Sequence, residues 1–391
     1  MCAARSRAST VRNAALWARA ASHTHAEAKD CRSVSAHHGD GMPRIVDIAI
    51  APPAHTVPQE HATAFARAHF SAALPNIDRL LPLFANTGIR TRHIAQPPAW
   101  YLGEHELEER NRVYIECATD LCATAARDLL SRRGLQPSDI DRIYYVNTTG
   151  IATPSIDARL INVLGLDRHI RRTPIWGLGC AGGVSALATA AEDLAGHPRS
   201  RALVFAAELC SLTFLRDDRS TSNLVATALF ADGAAVALVA GDDTGDRGYA
   251  VTGTRSTLFP DSLNVMGWNV VSRGLQVVFD QRIPAIIRDQ AAHELDALLQ
   301  THGLTRDDVT EFLYHPGGPK VLQAYADAYG IDVDRFAWSS DVLTAVGNMS
   351  SVTVLYVLAR YMAAHAPGRG GHAVVAALGP GFSSEAFLLQ L

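Results

Sequence analysis

Residues 177–191 read GLGCAGGVSALATAA, one cysteine among four glycines with an apolar helical pattern directly behind. A second stretch, VGNMSSVTVLYVLA at 346–359, lies on residues 178–191 at an offset of 168. Gly179 then meets Gly347, Cys180 meets Asn348, Val184 meets Val352, Leu187 meets Leu355 and Ala191 meets Ala359. The apolar matches fall three and four residues apart, the spacing of one buried helix face. The pairing suggests a duplicated architecture in which two equivalent helix starts face one shared site.

The chemistry at that site begins with Cys180. Unsatisfied backbone N–H groups and the positive end of the helix dipole stabilise a thiolate at a helix start. Gly182 and Gly183 take side chains out of the first turn, so a substrate or another backbone can come close. A buried thiol serving as a small hydrophobe at a tight strand–helix junction fits the same residues. His315 ends the apolar run FLYH and heads the turn PGGPK, at the strand end where α/β proteins gather their sites. Asn348 caps a helix in its plainest role. Taken together, Cys, His and Asn suit acyl transfer. A thiolate paired with His315 accepts an acyl group from a thioester, and neutral donors from His315 and Asn348 hold an oxygen as charge develops on it. A carboxylate at 348 would repel that enolate, so decarboxylative condensation fits better than proteolysis.

Of 391 residues, 48% are hydrophobic and 19% charged, enough for a substantial core. A formal charge of −4 gives no electrostatic case for nucleic acid as a partner. The cysteines at 2, 31, 117, 122, 180 and 210 form no CxxC pair, and read as free thiols of a reducing, cytoplasmic compartment. No metal site is expected from them. Residues 1–41 carry Arg5, Arg7, Arg12 and Arg19 with no acid before Glu27, as a transit peptide would. An unstructured extension is the preferred reading, because Met42 opens the strand-like run RIVDIAIA. No membrane span is expected: the uncharged run from Val342 to Ala359 is interrupted by Asn348, Ser350, Ser351 and Thr353.

Strands are predicted at 142–150, 173–179, 201–209, 233–241, 311–318 and 372–381. Helices are predicted at 115–130, 184–194, 283–299, 321–329 and 351–362. Strands rich in Val, Ile and Ala without clean alternation point to α/β sheets covered on both faces. The halves are placed at 42–247 and 248–391, with their junction at Gly248–Thr254 after the charged turn GDDTGDRG.

GLGCAGG, HPGGPKVL, GNMSS, ALFADGAAV and the terminal GPGFSSEAFLL together resemble the type III polyketide synthases, the chalcone and stilbene synthase family. The resemblance runs from about Pro43 to Leu391. It implies the thiolase fold, two pseudo-repeated α/β halves in α-β-α-β-α layers, a homodimer, and no cofactor or metal. The substrates it implies are an acyl-CoA starter and malonyl-CoA or methylmalonyl-CoA as extender. Cys180 becomes the acyl-carrying nucleophile, with His315 and Asn348 as the oxyanion and decarboxylation pair. Phe230 becomes the guard between CoA tunnel and cavity. Thr149, Thr213, Ala226, Trp268, Val277 and Ser350 fall on cavity positions, and Gly379, Pro380 and Gly381 on the loop that shapes the cyclisation chamber.

The chain also departs from the plant pattern. Pro82 and Asn86 stand where basic residues contact CoA phosphates, leaving Lys320 and Arg90 or Arg92 as substitutes. Thr153 replaces a methionine before Pro154, and Val277 replaces a second phenylalanine gatekeeper. The segment 92–116 and VMGWNV at 265–270 look most like bacterial members that make alkylresorcinols and alkylpyrones from long-chain acyl-CoA. Small residues at 149, 213, 226 and 277 would leave room for an acyl tunnel, or are ordinary core packing. Two rivals share the fold: a ketoacyl-ACP synthase that stops after one condensation, and a non-catalytic scaffold. GNMSS, HPGGP and the GPG loop argue against the first, and the intact Cys180, His315 and Asn348 against the second.

Overall fold

A computed structural model describes residues 41–391; the expectation for residues 1–41 lies outside the described residues save for Gly41. The run RIVDIAIA forms β1 (Arg44–Ala51), followed by a small hairpin-like pair, β2 (His55–Pro58) and β3 (Thr91–Ile94). Next come β4 (Arg142–Asn147), β5 (Arg171–Trp176), β6 (Arg201–Leu209) and β7 (Asp232–Ala240). The C-terminal part supplies β8 (Tyr249–Leu258), the hairpin β9 (Met266–Val271) with β10 (Gly274–Phe279), then β11 (Val309–Tyr314), β12 (His372–Gly379) and β13 (Ser383–Gln390).

Nine strands join in the order β11-β12-β13-β8-β1-β7-β6-β4-β5. The join between β1 and β8 is only Arg44↔Ala250 and Ile45↔Tyr249, so the sheet is two wings hinged at one short contact. Reading outward from that contact, β1-β7-β6-β4 pair antiparallel, antiparallel, parallel. In the other wing β8-β13-β12-β11 do the same. The thiolase fold is this repeated wing.

Three apolar clusters show how the layers stack. Helix Leu107–Arg133 covers one wing from outside, and helices Ile283–Thr301 and Pro319–Tyr329 cover the other. Between the wings lie helices Gly182–Ala195 and Thr353–Ala364, with Val184, Leu187, Val352 and Leu355 wholly buried. Covering on both faces explains why β7, DGAAVALVA, is buried at every position and shows no alternation. Truncating Leu355 to alanine there is worth about 2–5 kcal/mol.

Some elements differ from the sequence reading. The helix predicted from 115 begins at Leu107; its first two turns, LEERNRVY, hide the period because the inward face there carries the buried Arg110 instead of a hydrophobe. Residues 249–254, read as a junction, are the first part of β8; the connection from β7 is the charged turn before it. Strand β8, YAVTGTRSTL, mixes small and polar residues, and so gave no apolar run to detect. No described helix is long and apolar enough to cross a membrane.

Candidate active site

Each half offers one turn to the space between the wings. After β5 the chain makes a short turn at Gly179–Ala181, and the helix from Gly182 follows. Cys180 sits in that turn with 9% exposure. The Gly182–Ala195 helix and the 350–352 turn are nearly in backbone contact. A Cβ on Gly183 would lie 2.2 Å from the carbonyl oxygen of Ser351. Of the two roles open for that glycine, the close neighbour is therefore another backbone and not a substrate.

The opposite turn carries Asn348. Its backbone is stitched to the end of helix Thr221–Leu229: Asn348 N donates to Leu229 O at 2.9 Å, and Ala231 N donates to Asn348 O at 2.8 Å. Gly347 reaches that bridge at φ +78°, a conformation L side chains adopt at a cost. The Asn348 Oδ1 accepts from Ser350 N at 2.8 Å, and Nδ2 makes one long bond to Gly317 O, 3.3 Å. The amide thus keeps donor capacity toward the space it faces. His315 follows β11 and is held by its own N–H on Ala376 O at 2.8 Å. Its ring is 4% exposed, and neither ring nitrogen has a partner. A buried polar ring without partners costs stability unless something fills its hydrogen bonds, which makes it a ligand-facing group.

Cys180, His315 and Asn348 line one cavity of about 490 Å³. Lys320 lies on its wall, together with Arg79, Pro82 and Asn86. Arg79 was not singled out from sequence; it is an exposed base within the short helix Ile77–Leu80, with no local pattern to mark it. Arg90 lies on neither cavity. Arg92, offered as a phosphate contact, is buried and spends its guanidinium on backbone carbonyls.

A second cavity of about 190 Å³ is lined by Thr213, Ala226, Phe230, Trp268 and Val277, with Leu275 and Phe65 extending its apolar wall. Phe230 lines the smaller cavity and packs toward the larger. Its ring lies 5.6 Å from Phe279 of the larger cavity and 6.1 Å from Trp268 of the smaller.

Thr149, Ser350 and Gly379–Gly381 line neither cavity. Ser350 Oγ accepts from Cys180 Sγ at 3.7 Å. Pro380 packs on Gly179, where an added Cβ would meet its Cδ at 2.6 Å, so the GPG loop backs the nucleophile turn. The Thr149 hydroxyl donates to Glu208 at 2.7 Å.

Glu208 was missed from sequence. It is wholly buried and also accepts from Thr148 N at 3.0 Å, Thr148 Oγ1 at 2.8 Å, Thr149 N at 3.1 Å and Ser351 Oγ at 2.7 Å. Five donors from two halves make it a rivet between the wings, close under both turns. A lone acid inside the apolar run RALVFAAEL was the available signal.

Burial favours neutral groups in this site. Burial pushes the Cys180 thiol up to about 12, the Glu208 charge adds to this, and the Ser350 hydrogen bond opposes it. Burial holds the His315 imidazole down at about 3. Burial thus favours the thiol at Cys180 and the neutral ring at His315.

Comparison with known proteins gives a consistent picture. The family model "Chalcone and stilbene synthases, N-terminal domain" matches residues 29–243, and its C-terminal companion matches residues 251–391. A putative chalcone synthase of Bacillus subtilis is 38% identical over 360 residues, covering 89% of this chain and 99% of that one. The 1,3,6,8-tetrahydroxynaphthalene synthase of Streptomyces peucetius is 40% identical over 321 residues, covering 81% and 85%. The crystal structure of the corresponding synthase from Streptomyces coelicolor superposes with a TM-score of 0.85 at 32% identity, over 89% of this chain and 99% of that one.

Proposed function

The chain belongs to the chalcone and stilbene synthases and is a type III polyketide synthase that condenses malonyl units iteratively; on that premise we propose that its starter is a long-chain acyl-CoA and its products are alkylresorcinols or alkylpyrones. The observation that carries the starter assignment is the apolar cavity beyond Phe230, walled by Ala226, Leu275, Val277 and Trp268. Cavities of this kind hold ligands by burying apolar surface, at about 0.8 kcal/mol per methylene.

In this reading the starter thioester enters the larger cavity with its CoA phosphates near Arg79 and Lys320. Cys180 Sγ bonds to the acyl carbon while its proton passes to His315, and the CoA sulfur leaves and takes the proton. Starting from a neutral thiol and imidazole, the proton moves as the new bond forms, so no buried charge has to exist beforehand. Malonyl-CoA then loses carbon dioxide. The enolate oxygen is held by N–H donors of His315 and Asn348. Its carbon attacks the acyl-Cys180 carbonyl, the Sγ–acyl bond breaks to leave the Cys180 thiolate and a β-ketoacyl-CoA, and Sγ takes up that chain again as the CoA thiolate leaves. The chain works as a homodimer in this proposal. The exposed side chains of Ile151, Val163 and Trp176 beside the unpaired edge of β5 support an interface there.

A panel of acyl-CoA starters with malonyl-CoA, read by mass spectrometry against a Cys180→Ala blank, tests the proposal. With each two-carbon extension, kcat/KM should rise up to about tenfold until the cavity is full. The tetrahydroxynaphthalene synthases among the relatives favour a second reading, in which the product is a fused hydroxylated aromatic and no long chain enters. Product formed from malonyl-CoA alone, unaffected by any long starter, would select it and overturn the first.

A further inference from the structure

The backbone around Phe230 is held from two sides, and only one of them belongs to the reacting groups. On one side stands Asn348, bridged to Leu229 and Ala231. On the other stands Arg92 of β3, 4% exposed, whose Nη1 donates to Thr227 O at 2.6 Å and to Phe230 O at 2.9 Å. Its Nη2 donates to Ala228 O at 2.7 Å and to Gln59 Oε1. The last carbonyls of helix Thr221–Leu229 have no partners within the helix, and a cation at a helix C-terminus meets both their hydrogen-bonding need and the dipole. The planar guanidinium reaches two of them and the Phe230 carbonyl just beyond at once, which an ammonium group does not do.

The clamp also reaches the larger cavity. Gln59 Nε2 donates to Phe84 O at 3.0 Å and Thr87 Oγ1 at 3.1 Å, in the segment whose Leu83, Asn86 and Thr87 line that cavity. Neighbouring Thr91 donates to Ala345 O at 3.0 Å, just before Gly347 and Asn348. Burial lowers Arg92 to about 10, and Asp232, buried on the same side, opposes that shift.

We infer that Arg92 is a positioning residue that fixes Phe230 against the opening between the two cavities, and so sets which acyl chains pass. The inference rests on the acyl-chain reading above. Arg92 touches no reacting atom; its influence runs through the carbonyl of Phe230 and the helix end.

Arg92→Lys keeps the charge facing Asp232 but not the three-carbonyl fork. It should leave full loading of Cys180 by acetyl-CoA, raise KM for a long-chain starter about tenfold over that for a short one, and shorten the products. In a Phe230→Ala background the same change should alter these ratios less than about twofold, because the group it positions is gone. A structural role would lower the active fraction and leave KM ratios and product distribution where they were; that result overturns the inference, as does an equal effect in both backgrounds. Should Arg92→Lys not fold, Gln59→Leu releases the clamp's second leg and is read the same way. Wild type that makes no polyketide from any long starter refutes the acyl-chain reading instead. The clamp is then read from alkylation of Cys180 by iodoacetamide against a long N-alkyl iodoacetamide. An unchanged rate ratio in Arg92→Lys refutes it there.

Discussion

Gly183→Ala tests the close approach of the two halves. A Cβ at 183 would stand 2.2 Å from Ser351 O, 2.8 Å from Leu355 Cδ1 and 3.0 Å from Val354 Cγ1. Relieving the first contact requires the backbone at 351 to move roughly 1 Å or more, since non-bonded atoms settle near 3.5 Å. The obstacle is a main-chain carbonyl that cannot rotate away, so the cost belongs near the top of the overpacking range, about 3 kcal/mol. Helix propensity returns at most about 1 kcal/mol, because Gly183 already has ordinary helical dihedrals. The net is about 2 kcal/mol of lost stability. Function should fall further. Ser351 is tied to Glu208 and adjoins Ser350, which touches Sγ. A misplacement of about 1 Å there is worth on the order of a hundredfold in the rate of Cys180 acylation. Urea unfolding and single-turnover acyl loading measure the two quantities. Gly196→Ala is the control, since its added Cβ meets nothing nearer than 3.6 Å. If Gly183→Ala is as stable as Gly196→Ala within about 0.5 kcal/mol and loads at the wild-type rate, the packing argument is wrong.

Ser350→Ala removes the hydrogen bond that opposes the upward shift of the Cys180 thiol. Less thiolate is then present at any pH, so alkylation by iodoacetamide should slow and its rise with pH should move to higher pH; unchanged or faster alkylation contradicts this. Trp268→Gly should keep Cys180 loading but shift products toward pyrones or other chain lengths, since the indole lines the smaller cavity against Phe230. An identical product ratio in a folded, active variant would remove Trp268 from product control.

What the sequence disclosed was whatever a close contact forces on residue type. Small residues at 182–183 and 350–351, with matched apolar faces behind them, follow from two helix starts abutting between the wings, and the offset pairing exposed them. Strands β8 and β13 escaped notice because their residues are mixed in polarity, as the burial along YAVTGTRSTL and SSEAFLLQ reflects. Glu208 stood out as a lone acid in an apolar run, but its role was not legible. A buried carboxylate is explained only by its donors, and these come from positions 148, 149 and 351, far apart in the chain. Arg92 shows the converse: an arginine in a polar-looking stretch reads as a surface charge until the carbonyls it meets at 227, 228 and 230 are known. Cavities are harder still, because they arise from what neighbouring elements fail to fill.

The same register that marks the duplication also shows where the copies diverged. Cys180 and Asn348 correspond by offset, yet the first lies in a helical turn running straight into Gly182, whereas the second is pulled out into a strand-like bridge on Phe230. The helix of the second copy accordingly starts only at Thr353, after its own turn at Ser350–Val352, each about three residues later than the offset would place it. That delay gives Ser350 its place at φ +49°, where its N–H holds Asn348 Oδ1 and its hydroxyl meets Sγ. With Oδ1 occupied, the amide is oriented so that its nitrogen faces Gly317 and the cavity. A carboxylate at 348 could keep the bond from Ser350 but would set a second oxygen against Gly317 O and against any developing enolate. An amide is the side chain of that shape that can both accept from its own turn and donate to an oxyanion. The two halves thus supply complementary chemistry from corresponding positions: a nucleophile where the helix follows at once, and a donor where it is made to wait.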